Sequence, residues 1–297
     1  MRRIIAYLIP LILSAAPKTV STIAGTGVAG FSGDGGPAIA GKTNNPYGLV
    51  IGPDGALYFC EVGNHRVRRL DLKKHTLSTL AGTGAPGFSG DGGPAAKAQF
   101  KQPHSIAFDP DGKLLVCDIG NNRIRRIDLT TGMIDTYAGT GEKKPAPDGA
   151  PLAGTPLNGP RAIDLDPQGN MYLALREGNA VYRIDPKAGK IYHFAGTGEK
   201  GYTGDGGDAK LAKLSGPKGI SYSSDGGVYI ADTESHTIRR IDLKSGVITT
   251  VLGTGEPGDG PMGDPLKCKL ARPHGVFVHK GIIYVADSES HRVLLLK

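Results

Sequence analysis

Five polar side chains occupy the same position in five similar segments of the sequence, each directly after a proline. They are Tyr47, His104, Arg161, Lys218 and His274. All five can form hydrogen bonds, Arg161 and Lys218 are cationic, and neighbouring copies carry different residue types. Gathered around one axis, such groups would form a pocket for a small anionic or polar ligand. We therefore take these five residues as the candidate ligand-binding set and ask which fold would bring them together.

The prolines before them, at positions 46, 103, 160, 217 and 273, define a repeat of 56 or 57 residues. Each copy contains four short runs with β-strand character, which in the first copy are GLVI, ALYFCE, RVRRLDL and TLSTLAG. Turn sequences such as Pro53-Asp54-Gly55 separate the first two runs. Four antiparallel strands in each of five copies predict an all-β propeller.

The two ends of the chain predict how this propeller closes. The segment from Thr19 to Gly27 resembles the fourth run of later copies, whereas the last copy stops at Lys297 after its third run. We expect the N-terminal strand to complete the last blade, which gives a closed ring of five blades without a free sheet edge. Six blades is the alternative, and it requires a blade that has no visible sequence.

The composition excludes other fold classes. Of 297 residues, 46 are Gly and 21 are Pro, and no Trp occurs. This content of chain breakers is too high for a helical bundle, and the glycines lack the three-residue period of collagen. With 39% hydrophobic residues and 21% charged residues, the chain is too apolar for disorder.

The N-terminus has the features of a secretory signal. Arg2 and Arg3 precede an apolar run from Ile4 to Leu13, and small residues follow. We expect a signal peptide at residues 1–15, a single propeller domain at 16–297, and a secreted or periplasmic product. An apolar N-terminal strand is the alternative interpretation. The run is shorter than the ~20 residues that cross a bilayer, so we expect no membrane insertion after cleavage.

The cysteines and the net charge carry no functional signal. The three cysteines give no disulfide framework, and Cys60 and Cys117 occupy a position where other copies have alanine. Both are predicted to be buried small residues. The formal charge of +7 is spread along the sequence, and it does not by itself indicate nucleic acid.

The repeated pattern resembles a known family. Segments such as QPHSIAFDPDGKLLVCDIGNNRIRRIDL and the GFSGDGGP linkers at 30–37 and 87–94 resemble NHL repeats of the bacterial exported and teneurin type. This resemblance covers essentially the whole mature chain and implies a β-propeller. It implies little about activity, since the family includes lyases, sensors, RNA binders and adhesion modules.

The two Pro-His steps, at His104 and His274, also resemble those of the amidating-lyase relatives of this repeat, in which three such histidines hold zinc. Here Tyr47, Arg161 and Lys218 occupy the remaining positions. A catalytic zinc normally has three protein ligands. We therefore expect no cofactor and assign no metal ligand, and a divalent metal shared by His104, His274 and a carboxylate is the alternative.

Other polar residues recur at fixed positions and are interpreted as structural. Four arginines are predicted to pair with an aspartate two residues later, namely Arg69, Arg126, Arg183 and Arg240. The acids that end the second runs are predicted to accept turn N–H groups, and they are Glu61, Asp118, Asp232 and Asp287. The linker aspartates Asp34, Asp91, Asp205 and Asp259 are interpreted as turn residues, and so are His65, His236 and His291.

The direction of the five candidate side chains stays open. Tyr47, Leu49 and Ile51 share strand parity, and both aliphatic residues look buried. If the parity holds, the candidate side chains pack between blades instead of lining the central channel.

Three functions are compatible with the sequence. The preferred one is an exported, monomeric, non-catalytic scaffold that presents its loop-rich face and channel mouth to a small anionic ligand, a glycan or a protein. The first alternative is a metal-assisted lyase or lactone hydrolase acting in the channel. The second is an RNA-binding NHL domain, which export and an aromatic content of only 6% disfavour, so we expect no nucleic-acid partner.

Overall fold

The computed structural model describes residues 22–297, in which tight turns separate short strands. The first hairpins of blades 1 and 2 turn at glycines with a left-handed backbone, since Gly55 and Gly112 both have φ of 74°. Glycine adopts this conformation at little steric cost. In blade 1 the Gly55 N–H donates to the Gly52 carbonyl oxygen, at 2.9 Å. The turns predicted between the first two runs are confirmed.

Five antiparallel sheets follow one another along the chain and form the five blades. Blade 1 contains β1 (Pro46–Ile51), β2 (Leu57–Glu61), β3 (Arg66–Asp71) and β4 (Thr76–Ala81). Blade 2 contains β5 (Gly93–Pro94), β6 (Pro103–Phe108), β7 (Leu114–Asp118), β8 (Arg123–Ile127) and β9 (Met133–Ala138). Blade 3 contains β10 (Ala150–Pro151), β11 (Pro160–Leu165), β12 (Met171–Leu175), β13 (Ala180–Asp185) and β14 (Lys190–Ala195).

Blade 4 contains β15 (Pro217–Ser223), β16 (Gly227–Asp232), β17 (Thr237–Asp242) and β18 (Ile248–Leu252). Blade 5 contains β19 (Pro273–His279), β20 (Ile282–Asp287) and β21 (Arg292–Leu296). Single 3₁₀ turns cover Ala38–Ala40, Val62–Asn64, Ala95–Lys97, Ile119–Asn121, Ala209–Leu211, Thr233–Ser235 and Ser288–Ser290. None of the helices in the described range is long and apolar enough to cross a membrane.

The five-bladed all-β propeller predicted from the repeat is confirmed. In blades 2 and 3 a two-residue strand of the preceding linker, β5 or β10, pairs with the outermost strand, so these sheets have five strands. The innermost strands β1, β6, β11, β15 and β19 lie side by side in this order. Because each of them begins with the repeat proline, the candidate ligand-binding residues all lie at the same end of the propeller.

The core is divided into clusters that lie between consecutive blades. One cluster joins Tyr58 and Cys60 of blade 1 to Ile106, Leu114 and Val116 of blade 2, and all five are buried. Alternation along each strand supplies apolar side chains to both faces of the sheet, and buried clusters join blade 1 to 2, 2 to 3, 3 to 4 and 4 to 5 within the described residues. All three cysteines are buried and free, and the prediction for Cys60 and Cys117 is confirmed.

The closing strand falls partly outside the described residues. Residues 1–21, which include the predicted signal peptide and Thr19–Ser21, lie before them, and within 22–297 blade 5 has three strands. The described end of the segment lies on blade 1, where the Gly25 N–H donates to the Ala38 carbonyl oxygen at 3.0 Å. After β4 the Gly82 N–H donates to the Ala95 carbonyl oxygen at 3.0 Å in the same way. The end of the segment therefore resembles the end of a fourth strand.

Candidate functional site

Every innermost strand has a register shift beside its candidate side chain, so the direction of that side chain does not follow from simple alternation along the strand. In β1 the pairing with β2 shifts between Tyr47 and Leu49, and the other four innermost strands shift at the equivalent place. A bulge of this kind redirects the side chains beside it. Leu49 and Ile51 are 67% and 55% exposed, so the expectation that they are buried was wrong. Tyr47 consequently does not share their direction.

Close backbone approach brings the neighbouring candidate residues of blades 1 and 2 together. Gly48 has φ of 48°, and a Cβ at this position would lie 2.5 Å from the His104 carbonyl oxygen. Only glycine therefore allows β1 to approach β6 so closely. As a result the rings of Tyr47 and His104 lie with their centroids 4.4 Å apart, inclined at 37°.

A cavity of about 330 Å³ opens beside these two rings at the axial mouth of the propeller. Tyr47, His104 and Arg161 line it, so three of the five candidate residues share one cavity. Arg176 and Glu177 form its outer wall and are ion-paired at 3.1 Å, both more than two fifths exposed.

The other two candidate residues form a second group on blades 4 and 5. The Lys218 side chain is only 4% exposed, and its Nζ lies 3.1 Å from His274 Nε2 and 3.1 Å from Glu234 Oε1. The same Glu234 carboxylate accepts hydrogen bonds from Arg272, which also pairs with Glu289. The charges of this group are thus neutralised within the protein.

The two groups share one electrostatic environment. Burial, together with the positive charge of Arg161 and the proximity of His274 and Lys218, lowers the pKa of His104 to about 3. Burial and the charges of Lys218 and Arg161 lower the pKa of His274 to about 4. Both imidazoles are therefore neutral near neutral pH.

Two buried nitrogen atoms of the first group have no hydrogen-bond partner in the described part of the chain: Nε of Arg161 and Nε2 of His104. Burial is the main cause that lowers the pKa of the Arg161 guanidinium, with Arg176 adding a like charge. Buried polar atoms are normally satisfied, and exceptions call for an explanation. Both atoms belong to residues that line the cavity.

The structure thus brings Tyr47, His104 and Arg161 together in one cavity and pairs Lys218 with His274 beside it. Within residues 22–297 no group of three or more His, Cys, Asp or Glu side chains is arranged to hold a metal ion. His274 Nε2 is within hydrogen-bond distance of the Lys218 ammonium, which occupies a direction that a metal would need.

Three blades share a buried ion-pair set that the sequence analysis missed. In each, a fully buried arginine of the third strand contacts the acid that ends the second strand and an aspartate of the preceding linker, at 2.6–3.8 Å. The arginines are Arg68, Arg125 and Arg239, the strand acids Glu61, Asp118 and Asp232, and the linker aspartates Asp34, Asp91 and Asp205. The interpretation of these linker aspartates as turn residues alone was therefore incomplete.

The arginines singled out from the sequence lie one residue further along and are partly exposed. Three pair with the predicted aspartate, namely Arg69 with Asp71, Arg183 with Asp185 and Arg240 with Asp242, at 3.7, 3.9 and 3.3 Å. In blade 2, by contrast, the cation paired with Asp128 is Lys113, at 3.4 Å. Strand alternation was the available signal, since the arginine at 68, 125 or 239 lies on the opposite face from its neighbour.

The interpretation of the strand acids holds for three of the four. Asp118, Asp232 and Asp287 accept backbone N–H groups at 2.6–2.7 Å, whereas Glu61 accepts hydrogen bonds from the side chains of Asn64 and Arg68. The turn histidines His65, His236 and His291 adopt left-handed φ of 52–55°, in line with their role in turns.

The comparisons with known proteins agree with this fold. The Teneurin NHL domain profile matches residues 194–269, and the NHL repeat profile matches residues 100–127 and 270–294. Human NHL repeat-containing protein 2 is 25% identical over 285 residues, which is 85% of this chain and 39% of that protein. The chain therefore spans about two fifths of the length of this relative.

Solved structures extend the comparison. Virginiamycin B lyase from Staphylococcus aureus, determined with quinupristin, superposes with a TM-score of 0.54 at 21% identity, over 87% of this chain and 68% of the lyase. A gluconolactonase from Xanthomonas campestris gives a TM-score of 0.57 at 17% identity, over 86% of this chain and 73% of that enzyme. At these identities the likeness concerns the fold alone. The blade architecture and the family-model matches together identify the chain as a five-bladed β-propeller that contains NHL repeats.

Proposed function

We propose that this chain is a non-catalytic binding module that takes a small carboxylate at its axial mouth. The observation that carries the proposal is the guanidinium of Arg161, which lines the cavity and has no carboxylate partner among the described residues. The neighbouring cation, Arg176, is paired with Glu177, whereas Arg161 forms no ion pair within residues 22–297. A half-buried cation without a counterion favours binding of an anion.

The chemistry of the cavity favours a carboxylate in particular. A guanidinium presents a planar fork of N–H donors that matches the two oxygens of a carboxylate. The imidazole of His104 is neutral because its pKa is about 3, so it can hydrogen-bond to the ligand without adding charge. The Tyr47 ring, which stacks obliquely on His104, covers one side of the site.

The second group of candidate residues supports the site without needing a ligand. Lys218 already contacts Glu234 and His274, and Arg272 is held by two carboxylates. We therefore assign ligand contact to Tyr47, His104 and Arg161. Lys218 and His274 are assigned to the wall of the same mouth.

Binding assays with simple probes test this function. Isothermal titration calorimetry with butanoate, inorganic phosphate and the neutral analogue butanamide should give binding of butanoate and none of butanamide. The Arg161→Met variant should lose about 10- to 100-fold in butanoate affinity, because a charge-assisted hydrogen-bonding group is worth ~1.5–3 kcal/mol.

A matched control is Arg126→Met, which removes an arginine of blade 2 that lies over the Tyr137 ring, outside the mouth. This variant should bind butanoate like the unmodified protein. Equal affinity of the Arg161→Met variant, or no binding of any anion by the unmodified protein, would overturn the proposal.

The metal-assisted lyase or lactonase is not the function we propose, because the described residues offer two histidines at the mouth and not three metal ligands. Elemental analysis of the purified protein tests this choice independently. Stoichiometric bound metal that disappears in the His104→Ala, His274→Ala double variant would favour the enzyme.

Export is part of the proposal and rests on residues 1–15, which lie outside the described residues. The mass of the protein isolated after expression with its own N-terminus tests it. Loss of 15 residues and recovery outside the cytoplasm would support export, whereas an intact N-terminus in the cytoplasm would contradict it.

A further inference from the structure

Blade 3 lacks the buried arginine and the strand acid that blades 1, 2 and 4 share. Where blades 1, 2 and 4 have the strand acid, the arginine and a threonine on the outer strand, blade 3 has Leu175, Tyr182 and His193. The equivalence follows from strand register, since Tyr182 pairs with His193 as Arg125 pairs with Thr136. The strand acid and the arginine have thus been replaced by an apolar and an aromatic side chain.

The linker that covers blade 3 is also different. In blades 1 and 2 a linker phenylalanine, Phe31 or Phe88, lies over the buried arginine. The linker before blade 3 has Lys-Lys-Pro-Ala-Pro-Asp at 143–148 instead. Its Asp148 accepts the His193 backbone N–H at 2.8 Å, so it keeps the place of the linker aspartate but pairs with no buried arginine.

These exchanges leave a pocket of about 320 Å³ in blade 3. Leu175 and Ala180 are buried at its base, and the rings of Tyr182 and His193 lie 5.5 Å apart along one side. The Tyr182 hydroxyl donates to the Ala146 carbonyl oxygen at 2.9 Å, so the polar end of this ring is satisfied within the protein. The base of the pocket is therefore apolar, and the two carboxylates that line it, Asp148 and Glu177, are paired with Lys210 and Arg176.

The pocket adjoins the axial mouth. Glu177 lines both cavities, and the consecutive residues Asn158 and Gly159 line one cavity each. The Glu177 side chain is 44% exposed and is paired with the exposed Arg176. The Glu177 side chain thus stands between the site at Arg161 and the blade 3 pocket.

We propose that the ligand of this protein is an amphipathic carboxylate, whose carboxylate binds Arg161 at the mouth and whose apolar chain occupies the pocket of blade 3. The inference rests on the proposed function and adds the chemical class of the ligand. The observations that carry it are the wall residue that the two cavities share, Glu177, and the absence from blade 3 of the buried arginine and the strand acid.

A homologous series of straight-chain carboxylates, from butanoate to octanoate below their micellar concentrations, tests the inference by calorimetry. Each methylene that enters the pocket should tighten binding about fourfold, the equivalent of ~0.8 kcal/mol per buried CH₂. The Thr197→Trp variant places a large ring at the pocket, which Thr197 lines. This variant should bind butanoate with unchanged affinity, and its affinity should no longer increase with the chain length of the carboxylate.

The control is Thr254→Trp, because Thr254 lies in the same Gly-Thr-Gly-Glu sequence of the next linker and does not line the pocket. The affinity of this variant should increase from butanoate to octanoate as much as that of the unmodified protein. Binding that does not tighten from butanoate to octanoate would overturn the inference and leave the proposed function intact, and so would an equal gain in the Thr197→Trp variant. Absence of binding for every carboxylate would overturn both.

Discussion

The ammonium Nζ of Lys218 and the carboxylate of Glu234 lie 3.1 Å apart at the wall of the axial mouth, and the lysine side chain is almost fully buried. A buried ammonium requires a counterion, because desolvation of an unpaired charge costs several kcal/mol. Glu234 provides it, and it also holds Arg272 at 2.6 Å. The shape of the mouth on blades 4 and 5 therefore depends on one glutamate.

Replacement of this glutamate should make the propeller less stable at neutral pH. Although burial opposes ionisation, hydrogen bonds from Arg272 and Lys218 hold the pKa of Glu234 at about 2, below its ordinary 4.5. This stabilisation is fully present above pH 4.5 and is lost as the pH falls towards 2. We expect Glu234→Gln to lower the free energy of unfolding by about 1–2 kcal/mol at pH 7, measured by urea denaturation, and the difference from the unmodified protein to shrink between pH 4.5 and 2.

The control for this variant is Glu289→Gln. Glu289 pairs with Arg272 alone and is 52% exposed, so its loss should cost less than about 0.5 kcal/mol. If the two variants are equally stable at pH 7, Glu234 is not the counterion on which the wall depends.

The blade architecture was predictable from the sequence, because every blade packs in the same way and so repeats the same sequence pattern. The spacing of the prolines predicted five blades, and the Pro-Asp-Gly turns predicted the first hairpins. The direction of Tyr47 was not predictable, because a bulge in β1 interrupts the alternation that pattern analysis assumes. The role of Arg125 was missed for a different reason, since its two acidic partners lie 7 and 34 residues away and only the folded blade brings them together.

A buried arginine of the ion-pair set should contribute far more to stability than its exposed neighbour. Arg125 is fully buried between Asp91 and Asp118, and Met in its place leaves a buried acid without its cation. We expect Arg125→Met to lower the free energy of unfolding by about 3–5 kcal/mol, against less than about 1 kcal/mol for Arg126→Met. Urea denaturation at pH 7 measures both, and a similar cost for the two would contradict the assignment.

The side chains of blade 3 indicate how the stability lost in Arg125→Met can be recovered. The double variant Arg125→Tyr, Asp118→Leu copies Tyr182 and Leu175 into blade 2, so that no buried charge of the strands remains unpaired. It should be more stable than Arg125→Met, because replacement of a buried ion pair as a unit is often tolerated. A double variant less stable than Arg125→Met would mean that the linker before blade 3 is also required.

The cysteines should be inert in the folded protein. Cys60 and Cys117 are completely buried and Cys268 is 3% exposed, and burial raises the pKa of all three thiols above the ordinary value. Because the thiolate is the reactive form, we expect no reaction with a thiol reagent such as DTNB in native buffer and complete reaction in denaturant. Cys117→Ala should cost about 1 kcal/mol or less, since blades 3, 4 and 5 have alanine at this position. Rapid reaction of the native protein would mean that the blades open.

The left-handed turn at Asn122 should couple blade 2 to the ligand site. Asn122 has φ of 52°, and its side-chain oxygen accepts the N–H of Gly159, two residues before Arg161, at 3.2 Å. Asn122→Ala removes this bond and places alanine in a strained conformation, so we expect a loss of about 2 kcal/mol in the free energy of unfolding and weaker butanoate binding.

Asn122→Gly relieves the backbone strain without restoring the bond. It should regain about 1 kcal/mol of stability while butanoate affinity stays reduced, because affinity depends on the position of Gly159 and not on the strain at residue 122. Calorimetric titration and urea denaturation of both variants separate the two effects, and full butanoate affinity in Asn122→Gly would show that this hydrogen bond does not position Arg161.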